Sequence, residues 1–189
     1  MKAESEYKEF KSLQIVKIIL KTGDNLKQEQ FALQLIFQFQ QIFLQEKLNL
    51  KLTTYEILSL GPDYGIIEMI QDATTVDNLK RITSDLYGLI NLEQIFVKLF
   101  GKNINKARNN FCSSLAAYCL ICYFLQVKDR HNGNIMLNKE GYIIHIDFGY
   151  FFSNSPGSYF LYKFFIDKTI LILQTKERDS NLRNQYHLN

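Results

Sequence analysis

The stretch from Val127 to Gly149, VKDRHNGNIMLNKEGYIIHIDFG, most constrains what this chain can fold into. Its β-like run Tyr142 to Ile146 follows a turn rich in Asn and Gly. That order predicts a hairpin, in which the loop and the far end of the second strand come together. Asp129 and Asn134 lie on the turn, and Asp147 follows the strand just ahead of Phe148 and Gly149. Acidic, histidine, arginine and asparagine side chains thus gather around one hairpin, an arrangement suited to phosphate transfer.

The hairpin is fed by an apolar helix predicted over Lys106 to Gln126. The overlapping segment Phe111 to Val127 is apolar enough to suggest a membrane span. It falls short of the roughly 20 residues that a span needs. It also contains Ser113 and Ser114 and runs into Lys128-Asp129-Arg130-His131, so a buried core helix is expected. With 189 residues, 47% of them hydrophobic, the chain can build one substantial core or two small lobes. A net charge of +3, from 22 basic and 19 acidic residues, gives no argument for nucleic acid binding and allows a weak attraction to anionic membrane. Cys112, Cys119 and Cys122 fall in one apolar segment, which suits buried thiols in a reducing compartment rather than a disulfide framework. Core packing accounts for Cys119 and Cys122 better than a metal or redox pair. The N-terminal MKAESEYKEFK lacks the apolar run of a signal peptide, so a cytoplasmic location is expected.

Upstream, Gln14 to Lys21 reads as a strand that stops at Thr22-Gly23-Asp24 and delivers Lys21 to its end. Asp24 is positioned to cap the next helix. Ala32, Ile36, Phe39 and Phe43 form that helix's apolar stripe, and Gln34, Gln38, Gln41 and Gln45 its polar one. Tyr55 to Leu60 and Gly65 to Ile70 predict a second hairpin, with the polar run Gln71 to Thr75 as a connector and lobe boundary. Asn78 to Phe100 is helical in pattern and is broken by Gly101 to Asn105. After Gly149 the pattern deteriorates into a loop at Ser153 to Ser158, an apolar run and a polar tail.

Phosphoryl transfer needs charge neutralisation at the phosphates, divalent metal held by oxygen, and a group that handles the attacking hydroxyl. Lys21 can serve the first need, Asn134 and Asp147 the second, and Asp129 or His131 the third. At this point the residues resemble a known family. KTGDNLKQEQ from Lys21, GIIEMI from Gly65, KDRHNGNI from Lys128 and HIDFG from His145 look, in order and spacing, like the signatures of the phosphatidylinositol 3- and 4-kinase superfamily. The stretch from Ala107 to Tyr150 is similar to the type III phosphatidylinositol 4-kinases of the beta class. The resemblance covers roughly residues 12 to 158.

The resemblance implies an α+β, two-lobed, protein-kinase-like fold, with an antiparallel sheet in the small lobe and a mostly helical large lobe. Residues 1–72 would form the small lobe and hinge, 73–158 a partial large lobe and 159–189 a divergent tail. It also implies transfer of the ATP γ-phosphate to the 4-hydroxyl of phosphatidylinositol, with Mg²⁺ or Mn²⁺, at the surface of intracellular, Golgi-like membranes. In the matching positions, Lys21 contacts the ATP phosphates and Glu29 orients that part of the pocket. The Glu68 carbonyl and the Ile70 amide pair with adenine, with Tyr55 behind them. Asp129 is catalytic, His131 acts on the hydroxyl proton or the transferring phosphate, and Arg130 is their structural neighbour. Asn134 and Asp147 are the metal ligands. His145, beneath the site, is expected to be a satisfied structural group, and His187 carries no argument.

The chain also departs from the family. Asp24-Asn25-Leu26-Lys27-Gln28 stands where the family has Asp-Asp-Leu-Arg-Gln, losing one negative charge and a guanidinium fork. Ser5-Glu6-Tyr7-Lys8 lies where a phosphate-gripping loop is expected, without its Pro or Gly. The sequence after Ser158 lacks the lipid-reading pattern, which leaves helix faces for the tail or a protein partner to cover. The rival readings are a 3-kinase of the same superfamily, disfavoured by Tyr150 after Asp-Phe-Gly, and a truncated non-catalytic remnant with at most ATP binding.

Overall fold

The computed structural model describes residues 6, 7, 9–11, 16–89 and 91–152. They form an α+β arrangement of two three-stranded antiparallel sheets and four helices. The first sheet has the order β1-β3-β2, with β1 Ile18–Thr22, β2 Ile57–Ser59 and β3 Tyr64–Glu68. Lys21 pairs with Gly65 across β1 and β3, and Ile57 with Ile67 across β2 and β3. The expected hairpin around Gly61 to Tyr64 is therefore present, with shorter strands. Gln14 and Ile15, which began the expected first strand, lie outside the described residues, as do Ser5, Lys8 and everything after Phe152.

Helix α1, Leu26–Gln45, crosses β2 with Leu26, Ala32, Leu33, Ile36 and Phe43 buried. Asn25 caps it, its side chain accepting the Lys27 N–H at 3.1 Å. This corrects the expectation that Asp24 is the cap: the Asp24 carboxylate pairs with Lys21 instead. Asn in place of a second acid therefore costs no cap. A Cβ on Gly65 would stand 2.4 Å from the Leu58 carbonyl oxygen and 2.8 Å from Leu26 Cδ1, so only glycine lets the first turn of α1 rest on the sheet.

The polar run expected to be a connector ends in a strand, β4 Ala73–Thr75, which pairs with β5 Ile135–Asn138; β5 in turn pairs with β6 Ile143–His145. The single helical stretch expected over Asn78 to Phe100 is two helices, α2 Val76–Tyr87 and α3 Leu92–Phe100. Gly88, at φ +65, closes α2, and the Asn91 side chain caps α3. After a 3₁₀ turn at Gly101–Asn103, α4 runs over Ile104–Phe124 and buries Ala107, Ser114, Ala117, Tyr118, Ile121 and Cys122. It is a core helix, and among the described residues no helix is long and apolar enough to cross a membrane.

Helix α4 holds the parts that carry the site. Ser113 Oγ donates to the Asn49 carbonyl at 2.9 Å and Tyr118 Oη to the Thr53 carbonyl at 2.9 Å, while Gln40 of α1 donates to the Leu52 carbonyl at 2.8 Å. The irregular segment leading to Tyr55 is thus fixed between two helices. On the other side, Ser114 Oγ accepts the Ile143 N–H at 2.9 Å and donates to the Asn110 carbonyl. Gly141, in the β5–β6 turn, has φ +91, and a Cβ there would lie 2.7 Å from the Ala107 carbonyl oxygen. Gly141→Ala is expected to destabilise the fold by about 2 kcal/mol, because backbone strain and a backbone clash coincide. Chemical denaturation of the two proteins measures it.

Candidate active site

The chemistry-bearing residues lie not at the β5–β6 turn, as a hairpin loop would have it, but at the open end of the pair. Asp129 to Asn134 precedes β5, Asp147 follows β6, and the Ile146 N–H donates to the Asn134 carbonyl at 3.0 Å. The turn of the hairpin itself is closed by Asn138, whose Oδ1 accepts the Glu140 and Tyr142 N–H groups.

Two groups of side chains meet there. In the first, Lys21 Nζ stands 3.1 Å from Asp24 Oδ2, 3.6 Å from Glu29 Oε2 and 4.0 Å from Asp147 Oδ2. Glu29 is buried, and its Oε1 accepts both the Tyr55 hydroxyl and the Asp147 N–H at 3.1 Å. One carboxylate therefore joins β1, the segment before β2 and the backbone after β6. Burial pulls the Lys21 ammonium down, but Glu29, Asp24 and Asp147 together outweigh it and leave its pKa above the ordinary value. Glu29 is the more deeply buried partner, so burial dominates there. With the repulsion of Asp147, burial lifts its pKa against the lowering by Lys21, Tyr55 and the Asp147 amide. Burial and the adjacent Glu29 push the Tyr55 phenol well up, which keeps it a donor.

In the second group, Asp129 has φ +58 and Asp147 φ +59, a left-handed conformation uncommon outside glycine. The Asn134 Nδ2 donates to the Asp129 carbonyl at 2.9 Å, which fixes the amide and turns its Oδ1 away from that bond. His131 Nε2 is 4.0 Å from Asp129 Oδ2, and its Nδ1 accepts the Gly133 N–H at 3.0 Å. A ring nitrogen that accepts carries no proton, so the neutral ring bears its hydrogen on Nε2, facing Asp129.

Arg130 ties the two groups together. Its Nε donates to the Lys128 carbonyl at 2.9 Å and Nη1 to the Ile146 carbonyl at 2.7 Å, while Nη2 donates to the Asp147 carbonyl. It also lies over the Phe148 ring. Its fork is committed largely to backbone oxygens, so it shapes the loops.

Asn134 Oδ1 and the half-exposed Asp147 carboxylate are hard oxygen donors. Among the described residues, no group of three or more His, Cys, Asp or Glu converges as a metal centre. This donor set fits a cation such as Mg²⁺, which takes few protein oxygens and keeps water and phosphate for the rest. Glu68 ends β3 and Ile70 lies two residues beyond it, packed on the core.

Beneath the site, His145 is buried, stacks on Tyr118 at 4.3 Å between centroids, and sets Nδ1 3.8 Å from Cys122 Sγ. It is only half satisfied, against expectation: Nε2 has no hydrogen-bond partner among the described residues. Burial, then Arg130, holds the ring neutral by lowering its pKa well below the usual value. The unfolded chain binds a proton below about pH 6.5 that the fold refuses, so stability falls on acidification by up to about 1.4 kcal/mol per pH unit. His145→Phe should flatten that slope, as urea unfolding at pH 7, 6 and 5 would read. None of the three cysteines forms a disulfide, and burial pushes the Cys122 thiol up to about 12. Asp24, as the nearest partner of Lys21, and the Gly133 N–H, as the partner of His131, were not foreseen from sequence. The three-residue spacing of Lys21 and Asp24 was the available signal.

An α+β chain that gathers a lysine, a buried glutamate, an aspartate-histidine pair and two further oxygen-bearing side chains has the parts of a phosphotransferase. The chain belongs to the phosphatidylinositol 3- and 4-kinase family, whose pattern matches residues 15–161. It is 42% identical over 168 residues to the phosphatidylinositol 4-kinase PIK1 of Saccharomyces cerevisiae, covering 82% of this chain and 16% of that protein. It is 43% identical over 155 residues to a phosphatidylinositol 4-kinase of Dictyostelium discoideum, covering 82% and 13%. For phosphatidylinositol 4-kinase beta of Xenopus laevis the identity is 41% over 156 residues, covering 80% and 19%. The chain thus spans less than a fifth of the length of these relatives.

Proposed function

We propose that this chain is the catalytic core of a phosphatidylinositol 4-kinase, passing the ATP γ-phosphate to the inositol 4-hydroxyl of phosphatidylinositol. The observation that carries this reading is the Glu29 clasp, which holds Lys21, Tyr55 and the Asp147 amide to one buried carboxylate. Lys21, cationic and a quarter exposed, contacts the nucleotide phosphates. Asn134 and Asp147 hold the divalent cation, which neutralises phosphate charge when bound. Asp129 accepts the proton of the attacking hydroxyl. With Nδ1 occupied by the Gly133 N–H, His131 offers its Nε2 hydrogen to the transferring phosphate or to Asp129. Arg130 keeps the two acid-bearing loops in register. The Glu68 carbonyl and Ile70 amide receive the adenine edge.

The 4-hydroxyl is preferred over the 3-hydroxyl because the relatives named above are 4-kinases. We read residues 1–72 as a small lobe with hinge and 73–158 as part of a large lobe; the proposed tail, 159–189, lies outside the described residues. Substrate in a bilayer implies peripheral association with intracellular membranes, and a protein partner is a candidate cover for the large lobe.

A kinase assay on phosphatidylinositol vesicles, with identification of the phosphorylated hydroxyl, tests the reading; product at position 3, or none, overturns it. Ahead of turnover, ATP with Mg²⁺ at a hundred times its Kd should stabilise the fold by about 2.7 kcal/mol. Lys21→Met should remove most of the resulting rise in melting temperature. No shift at millimolar nucleotide would remove the binding claim.

A further inference from the structure

The end of β3 carries an irregularity. In an antiparallel ladder, opposed residues in a hydrogen-bonded position exchange two bonds, each N–H going to the other's carbonyl. The register sets Ile57 opposite Ile67, so Glu56 comes opposite Glu68. Glu68 N–H donates to the Glu56 carbonyl at 2.8 Å, but the return bond is not made. Glu56 N–H donates instead to Glu68 Oε2 at 3.0 Å. The Glu68 side chain has taken the acceptor role of its own carbonyl toward the Glu56 N–H. The other edge of β3 is closed, since Met69 N–H donates to the Lys17 carbonyl at 2.8 Å.

A strand-end carbonyl released from its ladder needs a donor from elsewhere. We propose that the Glu68 carboxylate is a positioning residue that draws the Glu56 N–H out of the ladder and so keeps the Glu68 carbonyl open for the exocyclic amine of adenine. This rests on the nucleotide-binding reading above. Selection of a 6-amino over a 6-oxo purine is then set by a side chain that does not itself touch the base. An open carbonyl accepts from the amine of ATP and repels the 6-oxygen of inosine triphosphate, and sites of this kind discriminate strongly. Glu68→Ala returns the Glu56 N–H to the carbonyl and draws it into the ladder. Glu68→Gln keeps a side-chain oxygen for the Glu56 N–H.

Two readouts on the full chain test this. Through-hydrogen-bond scalar coupling from the Glu56 amide nitrogen identifies its acceptor carbon without any ligand. The side-chain carbon of residue 68 is expected in the wild type and E68Q, and the main-chain carbonyl carbon in E68A. Coupling to the main-chain carbonyl in the wild type overturns the inference. Calorimetry then gives the ratio of affinities for ATP and inosine triphosphate, with Mg²⁺. That ratio should fall about tenfold in E68A and be largely kept in E68Q. Equal losses for both nucleotides in E68A, with the ratio unchanged, mark a merely structural role and also overturn the inference. Failure of the wild type to bind either nucleotide overturns the nucleotide reading and the ligand named here, while the coupling still decides what Glu68 does in the sheet.

Discussion

Asp129→Asn is expected to lower the rate of phosphoryl transfer by about 10²-fold or more, with little change in the KM for ATP. The substitution isolates charge from conformation. Asp129 sits at φ +58, a region that Asn tolerates as well as Asp, so the loop has no reason to move. Its backbone carbonyl, which orients Asn134, is untouched. What disappears is an anionic oxygen beside His131 that can accept a hydroxyl proton. Initial rates on phosphatidylinositol vesicles at saturating ATP, together with the melting temperature, check the expectation. An unchanged rate would show that the activity arises elsewhere.

The second large effect is on stability. Arg130→Ala removes the donors that the Lys128, Ile146 and Asp147 carbonyls now share, and leaves those oxygens, the first two in part-buried bonds, without them. Each bond to a charged donor contributes about 1.5–3 kcal/mol when buried. Part of the fork is exposed, so a total loss of about 2–4 kcal/mol is expected rather than the sum. Arg130→Lys should recover little, because one ammonium cannot reach carbonyls spread around a planar fork. Urea unfolding of the three proteins checks this. A loss under about 0.5 kcal/mol, the range of ordinary surface changes, would show that the carbonyls find other donors.

Much of this architecture was legible in the sequence because the signals were local. The apolar run at Ile18 to Leu20, the stripe from Ala32 to Phe43 and the apolar helix before Val127 all appear where residue type or periodicity put them. Misreadings came where neighbouring residues competed for one role. Asp24 and Asn25 are both good caps, and only the proximity of Lys21 draws Asp24 away. Gly88 and Asn91 are stop and start signals inside a stretch whose apolar pattern runs on, and the pattern masked them. Ala73 to Thr75 is too short and polar to look like a strand until β5 pairs with it. For the site, Lys21, Glu29, Tyr55 and Asp147 were nominated by motif, but a motif does not say that Glu29 bonds the Asp147 backbone rather than its charge. Nor could spacing reveal that the Glu68 side chain replaces its own carbonyl, since that depends on the geometry of one strand end.

The bond from the Asp147 N–H to Glu29 joins residues 118 positions apart. At a synthesis rate of about 5–20 residues per second, Glu29 leaves the ribosome about 6–24 s before its partner. Through that interval the first sheet and α1 can form from local contacts, while a carboxylate destined for burial has only Lys21 and Tyr55 to satisfy it. Assembly of the site is thus a late event in the life of the nascent chain. Substitutions at Glu29 should therefore reduce the yield of folded protein from cells more than they slow refolding of the complete chain.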